Sequence, residues 1–214
     1  MTGFAVLVPF KAARPKSRLS GILSEAARRE FAELMLGDVL SALDSAGLLS
    51  RCFVISSDRK ARSMADSSGA ARISQPHDLG VNSAVSWGME RLEDIDEFMV
   101  VPADLPTLSR DELELALSIH EQGLAVVIAP SRHFDGTNLL IFPRSSRIRL
   151  SYDKNSFWNH VASAARRGTS LAVCCAPGLT FDVDSVDDFK LLARLRTKRA
   201  SVEFARKEQA RWAS

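Results

Sequence analysis

What the sequence lacks narrows the field first. It has only three cysteines, Cys52, Cys174 and Cys175. The number is odd and the spacing is not that of metal ligands, so neither a disulfide framework nor a zinc site organises the chain. Cys174 and Cys175 stand together in an apolar run and are expected to pack as small hydrophobes. No apolar run approaches the ~18 residues of a membrane span. The apolar stretch near the N-terminus is short and its cations follow it, the reverse of a secretory leader. Net charge is only +2, too small to argue for nucleic acid. Repeats and low-complexity tracts are absent. The histidines His77, His120, His133 and His160 form no HExxH pair, and no Gly-x-Ser-x-Gly elbow or Cys/His pairing points to a covalent nucleophile. The expectation these absences leave is a reducing, cytoplasmic protein with neither a membrane nor a nucleic acid as partner.

What is present reads as an α/β chain. A hydrophobic fraction of 46% against 25% charged residues suffices for one sizeable core at this length. Phe4-Ala5-Val6-Leu7-Val8 is a strand apolar on both faces, and Pro9, which has no N–H, stops its ladder. A loop with Lys11, Lys16 and Arg18 follows. Ser24 then caps a helix whose apolar residues recur at helical spacing from Phe31 to Leu43, ending at Gly47. Further strands are expected at Arg51–Ser56, Ala71–Ser74, Glu97–Val101, Leu124–Ala129, Leu139–Phe142 and Leu171–Cys175. Further helices are expected at Lys60–Ser67 and Val81–Leu92, from a Ser109/Glu112 capping box to Gln122, from Asn155 or Ser156 to Arg167, and after a Ser185 cap. Phe181-Asp-Val-Asp184 reads as a short extended piece. Strands and helices alternate, so the sheet should be largely parallel with right-handed crossovers. Residues 194–214 read as a basic C-terminal helix or tail, better explained as a solvated helix packing a few apolar residues than as an RNA or membrane surface. With no internal boundary, residues 1–214 are expected to form a single domain with helices on both faces of a mostly parallel mixed sheet.

The chemistry-bearing residues sit where such a sheet presents its ligands. A basic loop leaving the C-terminal end of the first strand suits a polyphosphate. Having no glycine, it is neither a GxxxxGK[ST] P-loop nor a GxGxxG fingerprint; the plainer reading is a solvated basic loop. Asp104 stands past the end of another central strand. Asp182 and Asp184 are two apart, which turns both carboxylates to one side of an extended segment. Mg²⁺ takes one or two such carboxylates, with phosphate and water completing its shell. Lys16, Arg18 and the three aspartates together would supply the halves of a metal-dependent nucleotidyl-transfer site. Taken singly, Asp104 is more simply read as the start of a turn, and Asp182 and Asp184 as a turn and an approach to the Ser185 cap. Thr137 and Asn138 in a DGTN loop and Ser156 at a helix start stand where anions bind well, although a tight turn and an N-cap are their ordinary equivalents. His120 reads as structural; His160, one helical turn past Ser156, reads as a packing or surface residue that could assist an anion.

In order, VPFKAARPKSRLS, LGVNSAV, VPADLPTLS, GTNLL, NSFWNH and FDVDSVDD resemble the 2-phospho-L-lactate guanylyltransferases of coenzyme F-420 biosynthesis, over almost all of residues 4 to 192. KSRLS and ADLP are shared with the wider nucleotidyltransferase superfamily; KSRLS, GTNLL and SFxxH in this order are far more specific. The resemblance implies a Rossmann-like, GT-A-like nucleotidyltransferase fold with Mg²⁺ as cofactor. Lys16 and Arg18 would hold the GTP triphosphate, with Lys11 nearby, and Gly80 and Asn82 would face the base. Asp104, with Asp184 and Asp182, would bind the metal. Lys16, Arg18 and Asp104 would thus be the catalytic set. Thr137, Asn138 and Ser156 would hold a small phosphorylated carboxylic acid. Its phosphate would attack the α-phosphorus of GTP to release pyrophosphate, and being an anion already it would need no strong base. The sequence departs from the family at Arg132-His-Phe-Asp135 and Tyr152-Asp-Lys154-Asn155, where glycine-containing turns are usual. Both flank the acid pocket and leave 2-phospho-L-lactate, phosphoenolpyruvate and 3-phosphoglycerate open. The resemblance allows a homodimer, for which the sequence names no interface. A related nucleotidyltransferase using CTP or GTP on another phosphorylated acceptor is the rival enzyme; a nucleotide- or RNA-binding module led by the basic tail is the rival that is not one.

Overall fold

The computed structural model describes residues 3–11, 15–123 and 125–212; the expected strand start at Leu124 lies outside them. The first strand, β1 (Phe4–Pro9), is buried at all six positions, as a strand apolar on both faces must be. It runs parallel to β2 (Cys52–Ser56) on one side and to β4 (Glu97–Val100) on the other, and β3 (Ala71–Ser74) extends the parallel set beyond β2. The sheet has seven strands in the order β3-β2-β1-β4-β6-β5-β7, where β5 is Val126–Pro130, β6 Thr137–Pro143 and β7 Leu171–Val173. β6 alone is antiparallel to its neighbours, β4 and β5. This reversal matters for the site, because it lays the beginning of β6 beside the end of β4.

Alternate side chains of the strands feed two cores. Phe4, Val6 and Val8 join Leu36, Val39, Leu40 and Leu43 of α1 (Glu25–Ser45), with α2 (Arg59–Ser68) and α4 (Arg110–Glu121) on the same face. Ala5 and Leu7 face α3 (Val81–Glu90) and α5 (Ser156–Arg166) on the other. The molecule is therefore a three-layer α/β/α fold with a mostly parallel mixed sheet. A third cluster joins Phe31 and Met35 of α1 to α7 (Val186–Arg194) and α8 (Ala200–Trp212). Helix α1 is consequently apolar on two sides, one for the sheet and one for the C-terminal helices.

The C-terminal segment is tied down by its apolar residues: Phe204 stacks on Phe31 and Trp212 leans on Phe189. Asp38, on α1, caps α8 from outside, accepting from the N–H groups of Ala200 and Ser201 at 3.2 and 3.1 Å and from the Ser201 hydroxyl. Two expectations are corrected. The strand near Leu171 ends at Val173, and Cys175 is exposed rather than packed. Between it and α7 lies a four-residue helix, α6 (Pro177–Thr180), which the run Ala-Pro-Gly-Leu disguises as a turn.

Candidate active site at the carboxyl edge of the sheet

Three loops converge at the edge where β1 and β4 end. The first carries Lys16 in the left-handed region (φ 50°) at the entry to a 3-10 turn over Ser17–Leu19. Leu19 is fully buried and its N–H bonds the Lys16 carbonyl at 2.9 Å, so the turn is pinned to the core. A non-glycine residue held at positive φ is the kind of local strain that clusters at working sites. The second loop carries Asp104, between Pro102 and Pro106, with the buried Leu105 and Leu108 as its anchors. In the third, buried Phe181 and Val183 alternate with Asp182 and Asp184, so both carboxylates leave the core on the same side, as the two-residue spacing anticipates.

The Lys16 side chain is only 9% exposed and reaches between two of these loops. Its ammonium donates to Asp104 Oδ2 at 2.8 Å and to Asp184 Oδ1 at 3.0 Å. Arg18, at the surface, donates to Asp184 Oδ2 at 3.1 Å. Burial alone would lower the Lys16 pKa, but Asp104 and Asp184 overcome it and hold the group well above its ordinary range. Burial likewise opposes charge on Asp184, and Lys16, Arg18 and Lys11 more than offset it, leaving that carboxyl below its usual value. Asp182 is different. Burial and the neighbouring Asp104 push it up to about 6, Asp184 adding to the effect, although Asn138 Nδ2 donates to its Oδ1 at 3.1 Å.

Asn138 can reach Asp182 because β6 starts at this edge. The pairing of β5 with β6 shifts register between Ala129 and Pro130, leaving one extra residue in β6 next to Thr137. Leu139 and Ile141 belong to the α1 side of the sheet, Leu140 and Phe142 to the α5 side. Strict alternation would send Thr137 to the α1 side. The bulge reverses that, and the Thr137 hydroxyl lies 3.0 Å from Nδ1 of His160 on α5. Ser156 is buried at the first position of the same helix.

The third loop is fixed to the second through one glutamate. Glu112 completes the α4 capping box with Ser109 and also accepts from the Gly178 N–H on α6. A Cβ at Gly178 would lie 2.6 Å from the Thr107 carbonyl oxygen, so only glycine fits there.

A cleft of about 330 Å³ opens over this cluster, its lining including Lys11, Lys16, Arg18, Met35, Val81, Asp104 and Asp184. Gly80, Asn82, Thr137, Asn138, Asp182 and Ser156 are not among its described lining residues. Gly80 precedes α3 with φ 87°. The Asn82 amide is engaged at both ends, accepting from the Tyr152 N–H at 2.7 Å and donating to Asp153 Oδ2 at 3.0 Å, which ties α3 to the loop before α5. Among the described residues, no three His, Cys, Asp or Glu side chains come together as a ready cation cage. Asp153 was not expected at the site, and His160, expected as a packing or surface residue that could assist an anion, is buried with both ring nitrogens engaged. The long-range pairings that engage them are set by the fold, and no local spacing announces them.

Residues 4–209 match the family model described as "Guanylyl transferase CofC like". The chain belongs to this guanylyltransferase family. Its relatives include the phosphoenolpyruvate guanylyltransferase of Rubrobacter xylanophilus, 36% identical over 198 residues and covering 91% of this chain and 94% of that one. The 2-phospho-L-lactate guanylyltransferase of Archaeoglobus fulgidus is 34% identical over 202 residues, covering 94% and 89%. Among solved structures, a nucleotidyl transferase from Methanothermobacter thermautotroptrophicus superposes with a TM-score of 0.65, covering 96% of this chain and 99% of that one at 13% identity, a likeness of fold alone. The protein is thus an enzyme, a nucleotidyltransferase of the CofC type, whose family implies a nucleotide substrate and a phosphorylated acceptor. Among the described residues, no helix is long and apolar enough to cross a membrane.

Proposed function

We propose that this CofC-type enzyme transfers the guanylyl group of GTP to the phosphate of a small phosphorylated carboxylic acid, as in coenzyme F-420 biosynthesis. An acceptor phosphate oxygen forms the new bond to the α-phosphorus, the bridge between the α- and β-phosphates breaks, and its electron pair leaves with pyrophosphate. The observation that carries the reading is the Lys16 ammonium bridging Asp104 and Asp184 beneath a cation-lined cleft, in a chain of guanylyltransferase ancestry. Lys11, Lys16 and Arg18 bind the triphosphate and offset charge on the departing pyrophosphate. The acceptor is an anion at neutral pH, so a strong general base is not required.

A divalent cation belongs to the same proposal, although the described carboxylates are not gathered as a ready cage. Asp182 is pushed up to about 6, chiefly by burial and then by Asp104 and Asp184, so a cation beside it would offset the repulsion among the carboxylates. Asp104 and Asp184, with Asp182, would hold Mg²⁺, whose part is to withdraw charge from the reacting phosphates.

For the acceptor we infer phosphoenolpyruvate, 2-phospho-L-lactate or 3-phosphoglycerate. The two relatives above are named for different acids at nearly equal identity, so likeness does not choose between them. Pyrophosphate release from purified protein with Mg²⁺ and GTP, offered each acid in parallel, makes the choice. Release with one of them is the expected result; silence with all three, across several nucleotides, would remove the function and leave the fold.

A further inference from the structure

His160 is buried and uses both ring nitrogens. Nε2 lies 3.0 Å from the backbone N–H of Ser151, and Nδ1 lies 3.0 Å from the Thr137 hydroxyl. A backbone N–H can only donate, so Nε2 accepts and carries no proton. Burial pushes the imidazole pKa down to about 4, so the ring is neutral at physiological pH. A neutral imidazole bare at Nε2 carries its single proton on Nδ1, which therefore donates to Thr137 Oγ1. The hydroxyl is then an acceptor toward the histidine, and its own proton is free to be given elsewhere. Among the described residues no acceptor for that proton is found.

We infer that His160 is a positioning residue that fixes the Thr137 hydroxyl as a hydrogen-bond donor toward an anionic oxygen of the acceptor acid. The inference rests on the reading above that Thr137 holds the acid. The β6 bulge turns Thr137 toward α5, His160 sets the direction of its proton, and the same ring holds the loop before α5 through Ser151. Tyr152 packs edge-on against the imidazole, with 4.9 Å between ring centroids.

Two measurements test it. Long-range ¹⁵N–¹H NMR of the wild-type protein reads the tautomer directly and needs no substrate: the Nδ1–H form is expected, and an Nε2–H form would overturn the inference while leaving the proposed reaction intact. Kinetics read the consequence. His160→Gln returns an acceptor for the Ser151 N–H but no donor for Thr137. It should raise the acceptor KM about tenfold, as for one hydrogen bond to a charged group, with the GTP KM unchanged. His160→Asn, which places a donor nearer Nδ1, should recover most of that loss. In a Thr137→Val background His160→Gln should add nothing. Additive losses, or GTP and acceptor KM rising together, would reduce His160 to packing. An acceptor KM untouched by Thr137→Val would overturn the placement of the acid on Thr137, and with it the part given to His160.

Discussion

Asp38 is a buried carboxylate and Asp182 a half-buried one, and the fold treats them in opposite ways. Asp38 accepts from two backbone N–H groups and a serine hydroxyl at the start of α8, where the helix dipole also favours its charge. Its acceptor capacity is spent on holding α1 to α8. Asp182 receives one side-chain amide, from Asn138, and shares its surroundings with Asp104 and Asp184. A buried carboxylate with partners is architecture; one facing its own kind is where, on the function proposed above, a cation would bind.

Three substitutions would break or sharpen that contrast. The largest effect is expected away from both residues, at Asp104, which shares the Lys16 ammonium with Asp184. Asp104→Asn should lower kcat roughly a hundredfold to a thousandfold, the scale of losing a preorganised charge at the reacting group. GTP KM should stay within about threefold. Wild-type turnover in this variant would remove Asp104 from the chemistry.

Asp38→Ala comes next and should act on stability alone. Loss of a charged cap with its hydrogen bonds costs about 2 kcal/mol, visible as a lower urea midpoint, while kcat per folded molecule stays at the wild-type value. A fall in kcat would join the α8 corner to the site and dissolve the distinction.

Asp182→Asn should move stability the other way. The folded pKa, about 6, lies above the ordinary 3.8. Below pH ~4 the group is protonated in both states and contributes nothing. Between ~4 and ~6 the folded state keeps a proton that the unfolded chain has lost, so stability falls as pH rises, and above ~6 the penalty is complete. In metal-free buffer the variant should therefore be more stable than wild type at pH 7, by roughly 1–3 kcal/mol, with the two curves converging near pH 4. Activity should fall meanwhile, as expected where function is bought with stability. A variant less stable at pH 7 would place Asp182 in the same class as Asp38.

Much of the parallel half was legible in the sequence because its signals are local. β3 matches its expected span, and β1, β2 and β4 fall within a residue at either end; α1 starts at the Ser24 cap and α4 at its capping box. The antiparallel direction of β6 was not legible, since a strand's own residues do not say which neighbour it will meet. The bulge at Thr137 followed from that pairing and stayed hidden too. α6 escaped because four residues give no helical period. For the site, strand-end position and the alternation of Phe181 and Val183 with the aspartates were enough to gather Lys16, Asp104 and Asp184. Whether an aspartate is balanced or left wanting depends on partners distant in the chain, as Asp182 and Asn138 show.

Gly178 gives the third loop a mechanical meaning. Glu112 joins α4, which follows the Asp104 loop, to α6, which precedes Asp182 and Asp184, and the joint closes only because residue 178 has no side chain. The spacing between the carboxylates is thus calibrated outside the cleft, by the thickness of one missing methyl group. Drift at this position would keep the strands, the cores and every aspartate of the sequence, yet shift Asp182 and Asp184 relative to Asp104, like an instrument whose parts are sound and whose alignment screw has turned.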